Sequence, residues 1–350
     1  MELSAGKLWG LRRLADAGGH FTMLAVDQRP PIIDRVREVR GTAEAAYDDV
    51  CAVKRALIEA LGPRASALLL DPLYAYPTAA DAVSPAQGLL VTLETHRFRE
   101  TPEGRFASEI PDWGVAKIKR LGADAVKVLA HYRPDGPEES RRHQEAFVER
   151  IGRDCARYDI PYLLELLVYP LPGESADDAG YRRRRPERVL ESVEVFADPR
   201  YAVDVFKLES PVTPDDLPET GNPDDPAFRA AQAHFDALGA ACPRPWVMLS
   251  AGAGMGPFRR VLRHAYRAGA SGYLCGRAIW WRAFRHFPDL AAMSAELGRD
   301  AVAYMDDINA LTAAEALPWR RHRCFADGPR LAGAGEGFER RYPGFGGPAR

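Results

Sequence analysis

Short runs of branched and leucine-rich residues recur along the chain, separated by stretches in which apolar positions return every three or four residues. Eight of the runs read as β-strands: FTMLAVDQ (21–28), SALLLDP (66–72), LLVTLE (89–94), DAVKVLAHY (124–132), PYLLELLVY (161–169), VDVFKLES (203–210), WVMLSAG (246–252) and GYLCGRA (272–278). Most are continuously apolar rather than alternating, as parallel strands covered on both faces are. The intervening segments AEAAYDDVCAVKRALIEALG (43–62), GVAKIKRLGA (114–123), SRRHQEAFVERIGRDCARYD (140–159) and PFRRVLRHAYRAGA (257–270) read as amphipathic helices, the first stopped by Gly62-Pro63. The link between the second and third strands is short and shows no clear helix. Eight such units predict the α/β class and a (β/α)8 TIM barrel, with a doubly wound sheet as the competing arrangement. No repeat of 20–50 residues is visible.

The barrel is expected over residues 1–317, with a C-terminal extension over 318–350. This tail is rich in Gly, Pro and Arg and is partly disordered or lies along the barrel exterior on this reading. Two insertions, 170–188 after strand five and 213–228 after strand six, fall at C-terminal strand ends, where barrel active sites are built. They read either as solvated loops or as parts of a site. The RRRR run at 182–185 could hold an anionic substrate or a partner subunit, although a charge run is commonly a solvated face.

Composition narrows the function class. The chain has 350 residues, 46% hydrophobic, and a formal net charge of −2. Such a balance offers no electrostatic case for nucleic acid or for an anionic membrane surface. The start lacks an apolar signal core and no run of about 18 apolar residues occurs, so a cytoplasmic protein is expected. The five cysteines are scattered and form no CxxC pair, and there is no HExxH; neither a disulfide framework nor a metal site is suggested.

Chemistry enters at the strand ends. Asp27, Gln28 and Arg29 end strand one, Asp71 strand two and Glu94 strand three. Lys127 and His131 lie on strand four, Glu165 on five, Lys207 and Glu209 on six, Ser250 on seven and Arg277 on eight. An interior that served only for packing would carry branched apolar residues at many of these places. Period-two alternation puts Val203, Val205, Lys207 and Glu209 on one face, Lys127 with Ala125, Leu129 and His131, and Glu165 with Leu163 and Leu167. If those faces point inward, two lysines and a glutamate meet inside one barrel. Two ammonium groups so placed repel, and one sheds its proton to become a nucleophile. The alternative is a permanent buried ion pair of Lys207 with Glu165 or Glu209.

SAGAGMG (250–256) and CGRA (275–278) are glycine turns at the strands where barrels often hold phosphate. Their backbone N–H groups could approach an anion and Arg277 could fork two of its oxygens, though glycine also serves any tight turn.

Six stretches in matching order, LAVDQR (24–29), AVKVLAHYRPD (125–135), LLELLVY (163–169), VFKLESPV (205–212), LSAGAG (249–254) and GYLCGRAIW (272–280), resemble the bacterial tagatose-1,6-bisphosphate aldolase family. Its members are class I, Schiff-base aldolases on a (β/α)8 barrel, with relatives that cleave 6-deoxy-6-sulfofructose 1-phosphate. The resemblance, from about residue 20 to about 310, implies Lys207 as the Schiff-base lysine, Glu165 as acid/base and Lys127 as a charge-tuning second lysine. It implies that Asp27, with Gln28 and Arg29, contacts the substrate or the amine, and that Ser250, Gly252, Gly276 and Arg277 hold a phosphate. The expected reaction is reversible cleavage of a phosphorylated ketose, tagatose or fructose 1,6-bisphosphate first and the sulfonated ketose second, to dihydroxyacetone phosphate and an aldehyde. A phosphate-binding barrel without Schiff-base activity is the reading from another class. No cofactor or metal is implied, the partner is a small phosphorylated sugar, and a homo-oligomer is suggested. Pro30-Pro31 in place of a glycine and the long 170–188 insertion depart from the family and bear on substrate identity.

Overall fold

The computed structural model describes residues 1–219 and 221–345. All eight apolar runs form strands of one closed barrel: β1 (Phe21–Ala25), β2 (Ala67–Leu70), β3 (Gly88–Thr92), β4 (Ala125–His131), β5 (Tyr162–Leu167), β6 (Val205–Leu208), β7 (Trp246–Met248) and β8 (Gly272–Cys275). Every neighbouring pair is parallel, and β8 closes onto β1. The doubly wound alternative, an open sheet, is thereby set aside.

Alternation along each strand builds two cores. Phe21, Met23, Ala25, Ala67, Leu69, Leu90, Ala125, Leu163, Val205, Val247 and Leu274 fill the interior. Their odd-even partners, such as Leu24, Leu68, Val126, Leu164 and Phe206, face the surrounding helices. Leu3, Leu11, Leu14, Trp319 and Phe325 join the interior cluster and so stop one end of the barrel. A two-residue parallel pairing of Glu2–Leu3 with Arg330–Leu331 ties the tail to the N-terminus. The tail's last five residues, 346–350, lie outside the described residues.

The helical segments form as their periodicity dictates. Glu138–Arg157 buries Gln144, Phe147, Val148, Ile151 and Cys155, one face at three- and four-residue spacing. Helices also cover Tyr47–Leu61, Val115–Arg120 and Met255–Arg267. The link after β2 holds one short helix, Ala75–Ala79, too brief for a periodic signal. The 170–188 insertion is not simply a loop: Ala179–Phe196 is a helix with Pro186 inside it. Within the run, Arg182 pairs with Asp177 and Asp216, Arg184 with Asp135 and Arg185 with Glu209.

One buried ion pair fixes the end of β1. Lys54 is fully buried and places its three N–H donors on the carbonyl of Val26 (2.6 Å), the carbonyl of Gln28 (2.8 Å) and Asp71 Oδ2 (2.7 Å). Asp71 Oδ1 accepts from the amides of Leu73 and Tyr74. The two carbonyls that bracket Asp27 are therefore clamped to β2. Removing one partner of such a pair strands the other's charge and costs about 3–5 kcal/mol. Lys54→Met should lower the thermal midpoint sharply, and adding Asp71→Asn should recover part of the loss; a midpoint equal to wild type for Lys54→Met would show that the clamp carries no stability.

Candidate active site

The interior packing stops one layer below the C-terminal rim. Two residues beyond Ala25, Ala125, Leu163 and Val205 the inward positions become Asp27, Lys127, Glu165 and Lys207, all buried. Strand register sets Glu165 directly opposite Lys207 and Leu129 opposite Glu165. Glu165 Oε2 lies 2.9 Å from Lys207 Nζ and 2.9 Å from Lys127 Nζ. Lys127 Nζ also contacts Asp27 Oδ2 at 3.0 Å and Glu94 Oε1 at 2.8 Å. A single carboxylate oxygen thus joins the two lysines, and three carboxylates surround one of them.

The surroundings treat the two lysines differently. Burial opposes the Lys127 charge, yet Asp27, Glu165 and Glu94 together hold its ammonium well above the ordinary lysine value. It stays charged at any working pH. Lys207 has Glu165 as its ion-pair partner. Burial alone would raise the Asp27 and Glu165 carboxyls, but Lys127 and then Lys207 pull both below their ordinary values. Glu209 points elsewhere: it accepts from the Val168 amide at 2.6 Å and pairs with Arg185.

These groups open onto a cavity of about 300 Å³ lined by Asp27, Gln28, Arg29, Glu94, Lys127, Glu165, Lys207 and Arg277, with Phe98, Leu129 and Leu167 on its apolar side. A cavity of about 570 Å³ lies elsewhere, lined by Ser4, Asp159 and tail residues such as Tyr342. The Asp159 carboxylate there is occupied by Ser4, Tyr342 and the amides of Gly6 and Lys7, and among the described residues no buried lysine faces it. The buried lysine–carboxylate network opens onto the smaller one.

Arg277 begins the helix Arg277–Phe284 at the end of β8. Burial pushes its pKa below the ordinary arginine value. It meets the turn after β7: Gly252 has a φ of +86° and a Cβ there would come within 3.2 Å of the Arg277 guanidinium. Gly276 is closed in by Ala25 O, 2.3 Å from where a Cβ would stand, and by the Gln28 amide. Gly252 and Gly276 thus lie against Arg277 and Gln28, and Ser250 is buried just beyond β7; of these five residues Arg277 and Gln28 line the cavity. Asp71, noted at a strand end, is held by Lys54 and does not reach the cavity.

Glu94, noted at the end of strand three, proves to be part of the lysine network. One feature had no clear signal in the sequence. His96 and Phe98 reach the cavity from the segment after β3, which then turns back as the hairpin Arg99–Thr101 with Gly104–Phe106. Their place depends on the fold of that segment, not on strand alternation.

Comparison with known proteins decides the family. The profile of the DeoC/LacD family aldolases matches residues 21–282. The chain belongs to this family. A Streptococcus mutans protein named tagatose 1,6-diphosphate aldolase 1 is 33% identical over 327 residues, which is 91% of this chain and 99% of the relative. A Listeria monocytogenes tagatose 1,6-diphosphate aldolase is 36% identical over 287 residues, 80% of this chain and 83% of the relative. Among solved structures, an archaeal fructose 1,6-bisphosphate aldolase superposes with a TM-score of 0.55 at 16% identity, covering 87% of this chain and 98% of that one. The fructose-bisphosphate aldolase of Plasmodium falciparum gives 0.62 at 13%, covering 91% and 97%. Both structures share the barrel.

The network makes a sharp statement about pH. Lys127 is the larger of the two cationic influences that lower the Glu165 carboxyl, so Lys127→Met removes it and the carboxyl pKa rises. The acid limb of kcat/KM should therefore move upward in Lys127→Met, measured on residual activity; an unmoved limb would show that Lys127 does not tune the glutamate.

Proposed function

We propose that this member of the aldolase family cleaves a phosphorylated ketose reversibly through an imine on Lys207. The observation that carries the reading is the 2.9 Å contact between Lys207 Nζ and Glu165 Oε2 at the floor of a cavity that also holds Arg277. A buried amine next to a carboxylate able to accept its proton is an activated nucleophile, and the nearby guanidinium gives a phosphate its place.

The Lys207 ammonium passes a proton to Glu165, and the neutral amine attacks the C2 ketone. The proton of the new C–N bond moves to the former carbonyl oxygen, giving a carbinolamine. Glu165 then protonates that hydroxyl, which leaves as water, and the nitrogen lone pair forms the iminium. The carboxylate next takes the C4 hydroxyl proton; the C3–C4 pair flows into the iminium as the aldehyde departs. Protonation of the enamine at C3 by Glu165 and addition of water release dihydroxyacetone phosphate and restore the amine. Lys127, charged throughout, holds Asp27, Glu94 and Glu165 in place and offsets the carboxylate charge of the floor. The C1 phosphate rests on Arg277 and the turns containing Ser250, Gly252 and Gly276, with Gln28 beside them. The iminium supplies the electron sink, so the scheme calls for no metal or cofactor. The relatives' names make tagatose and fructose 1,6-bisphosphate the first substrates to test, ahead of the sulfonated ketose phosphate.

Borohydride reduction in the presence of dihydroxyacetone phosphate should add the mass of the reduced adduct to the peptide bearing Lys207. Lys207→Ala should lose both the adduct and cleavage, and EDTA should leave cleavage unchanged. Retained cleavage in Lys207→Ala, or its loss on adding EDTA, would contradict the assignment.

A further inference from the structure

The helix Ala179–Phe196 has no part in the reaction scheme, yet its arginines reach the ends of the strands that carry Lys127, Glu165 and Lys207. The β5–β6 ladder runs from Leu163 opposite Val205 to Leu166 opposite Leu208, so it stops one residue past the pair Glu165 and Lys207. Beyond that point a side chain replaces the backbone ladder. Glu209 is 4% exposed; its Oε1 accepts from the Val168 amide at 2.6 Å, and its Oε2 accepts from Arg185 Nη2. Arg185 Nε donates to the Ser210 carbonyl at 3.1 Å. One guanidinium therefore holds both the carboxylate that bridges β5 to β6 and the backbone beside it.

The same helix fastens β4. Arg188 and Arg133 are each 2% exposed. Arg188 Nη2 donates to Asp135 Oδ2 at 3.0 Å and to Glu174 Oε1 at 3.3 Å. Arg133, just past β4, donates to Asp135 Oδ1 at 2.8 Å, to Glu174 Oε2 at 2.6 Å and, past β5, to the Tyr169 carbonyl at 2.6 Å. Two guanidiniums and two carboxylates thus join the ends of β4 and β5 to the helix. Charged forks of this kind fix direction as well as distance. Burial raises the Glu209 carboxyl above its ordinary value, and Arg185 is the largest influence against that rise. Arg185 is not among the residues that line the cavity, so its place in the site is indirect.

We propose that the helix Ala179–Phe196 braces the strand ends that carry the reacting groups, and that Arg185 is a positioning residue which acts through Glu209 to hold Lys207 against Glu165. This rests on the aldolase reading of Lys207. The proton passed between Lys207 and Glu165 crosses a 2.9 Å contact. A displacement of about 1 Å in a reacting group costs up to about a hundredfold in rate. The brace keeps the two strand ends from drifting apart where the ladder no longer holds them.

The test follows borohydride trapping of dihydroxyacetone phosphate on Lys207 of the full-length protein as the ligand concentration is raised. In Arg185→Met the maximal trapping rate should fall about ten- to a hundredfold, while the half-saturating concentration stays within about twofold of wild type. Arg185→Lys, which keeps the charge and a donor, should recover part of the rate. Glu209→Gln, which keeps an acceptor for the Val168 amide, should also slow trapping, and it serves if Arg185→Met folds poorly. The double variant should lose no more than the worse single one, because both changes break one contact. Arg183→Met, on the same helix but exposed, should trap at the wild-type rate. An unchanged maximal rate in Arg185→Met and Glu209→Gln, a loss seen only as a raised half-saturating concentration, or additive losses in the double variant overturns the brace alone. No adduct on wild-type Lys207 overturns the aldolase reading and the brace with it.

Discussion

The site depends on one carboxylate oxygen shared between two buried ammonium groups. Glu165 Oε2 is 2.9 Å from both Lys127 and Lys207. Placing two lysines in a protein interior is costly unless each is paired and hydrogen-bonded. The chain meets that demand unequally. Lys127 is enclosed by Asp27, Glu94 and Glu165, while Lys207 has Glu165 as its ion-pair partner. The same arrangement that makes the charges tolerable leaves one amine with a proton acceptor beside it and cavity above it. Structural pairing and reactivity are therefore not rival descriptions of Lys207; in the proposed mechanism the buried ion pair is the resting form of the nucleophile.

Everything that positions this oxygen follows from a closed parallel sheet. Alternation sends every second residue inward, and register sets Glu165 beside Lys207. Alanines, leucines and valines fill the layer beneath, so the charged layer begins where the packing ends. Lys54, with no contact to the cavity, fastens the carbonyls either side of Asp27 and thereby the strand end from which Asp27, Gln28 and Arg29 project. The glycine turns after β7 and β8 then bring Arg277 to the rim.

Much of this was legible in the amino-acid order because it rests on local rules. Apolar runs announce buried parallel strands, and a lysine inside one, as at 127 and 207, is conspicuous against them. What escaped detection depends on contacts distant in sequence. Nothing around Lys54 distinguishes it from the solvated lysine of an amphipathic helix; its burial is set by β1 and β2. Glu94 stood at a strand end, but its tie to Lys127 needs β3 and β4 side by side. His96 and Phe98 sit in a segment without periodicity, so only the folded hairpin beyond them shows that they face the cavity. The arginine run at 182–185 looked like loop charge because Pro186 and the neighbouring glycine and aspartates obscured a helix whose partners, Asp135 and Glu209, lie beyond the ends of β4 and β6.

The central claim is that the amine of Lys207 becomes covalently bonded to a ketone whose phosphate lies at Arg277. A crystal structure of the protein soaked with dihydroxyacetone phosphate tests it most directly. The account predicts continuous density from Lys207 Nζ to C2, with Glu165 at hydrogen-bond distance and the phosphate against Arg277 and the Gly252 and Gly276 turns. A ligand bound without a bond to Lys207, or bonded to Lys127, would contradict it.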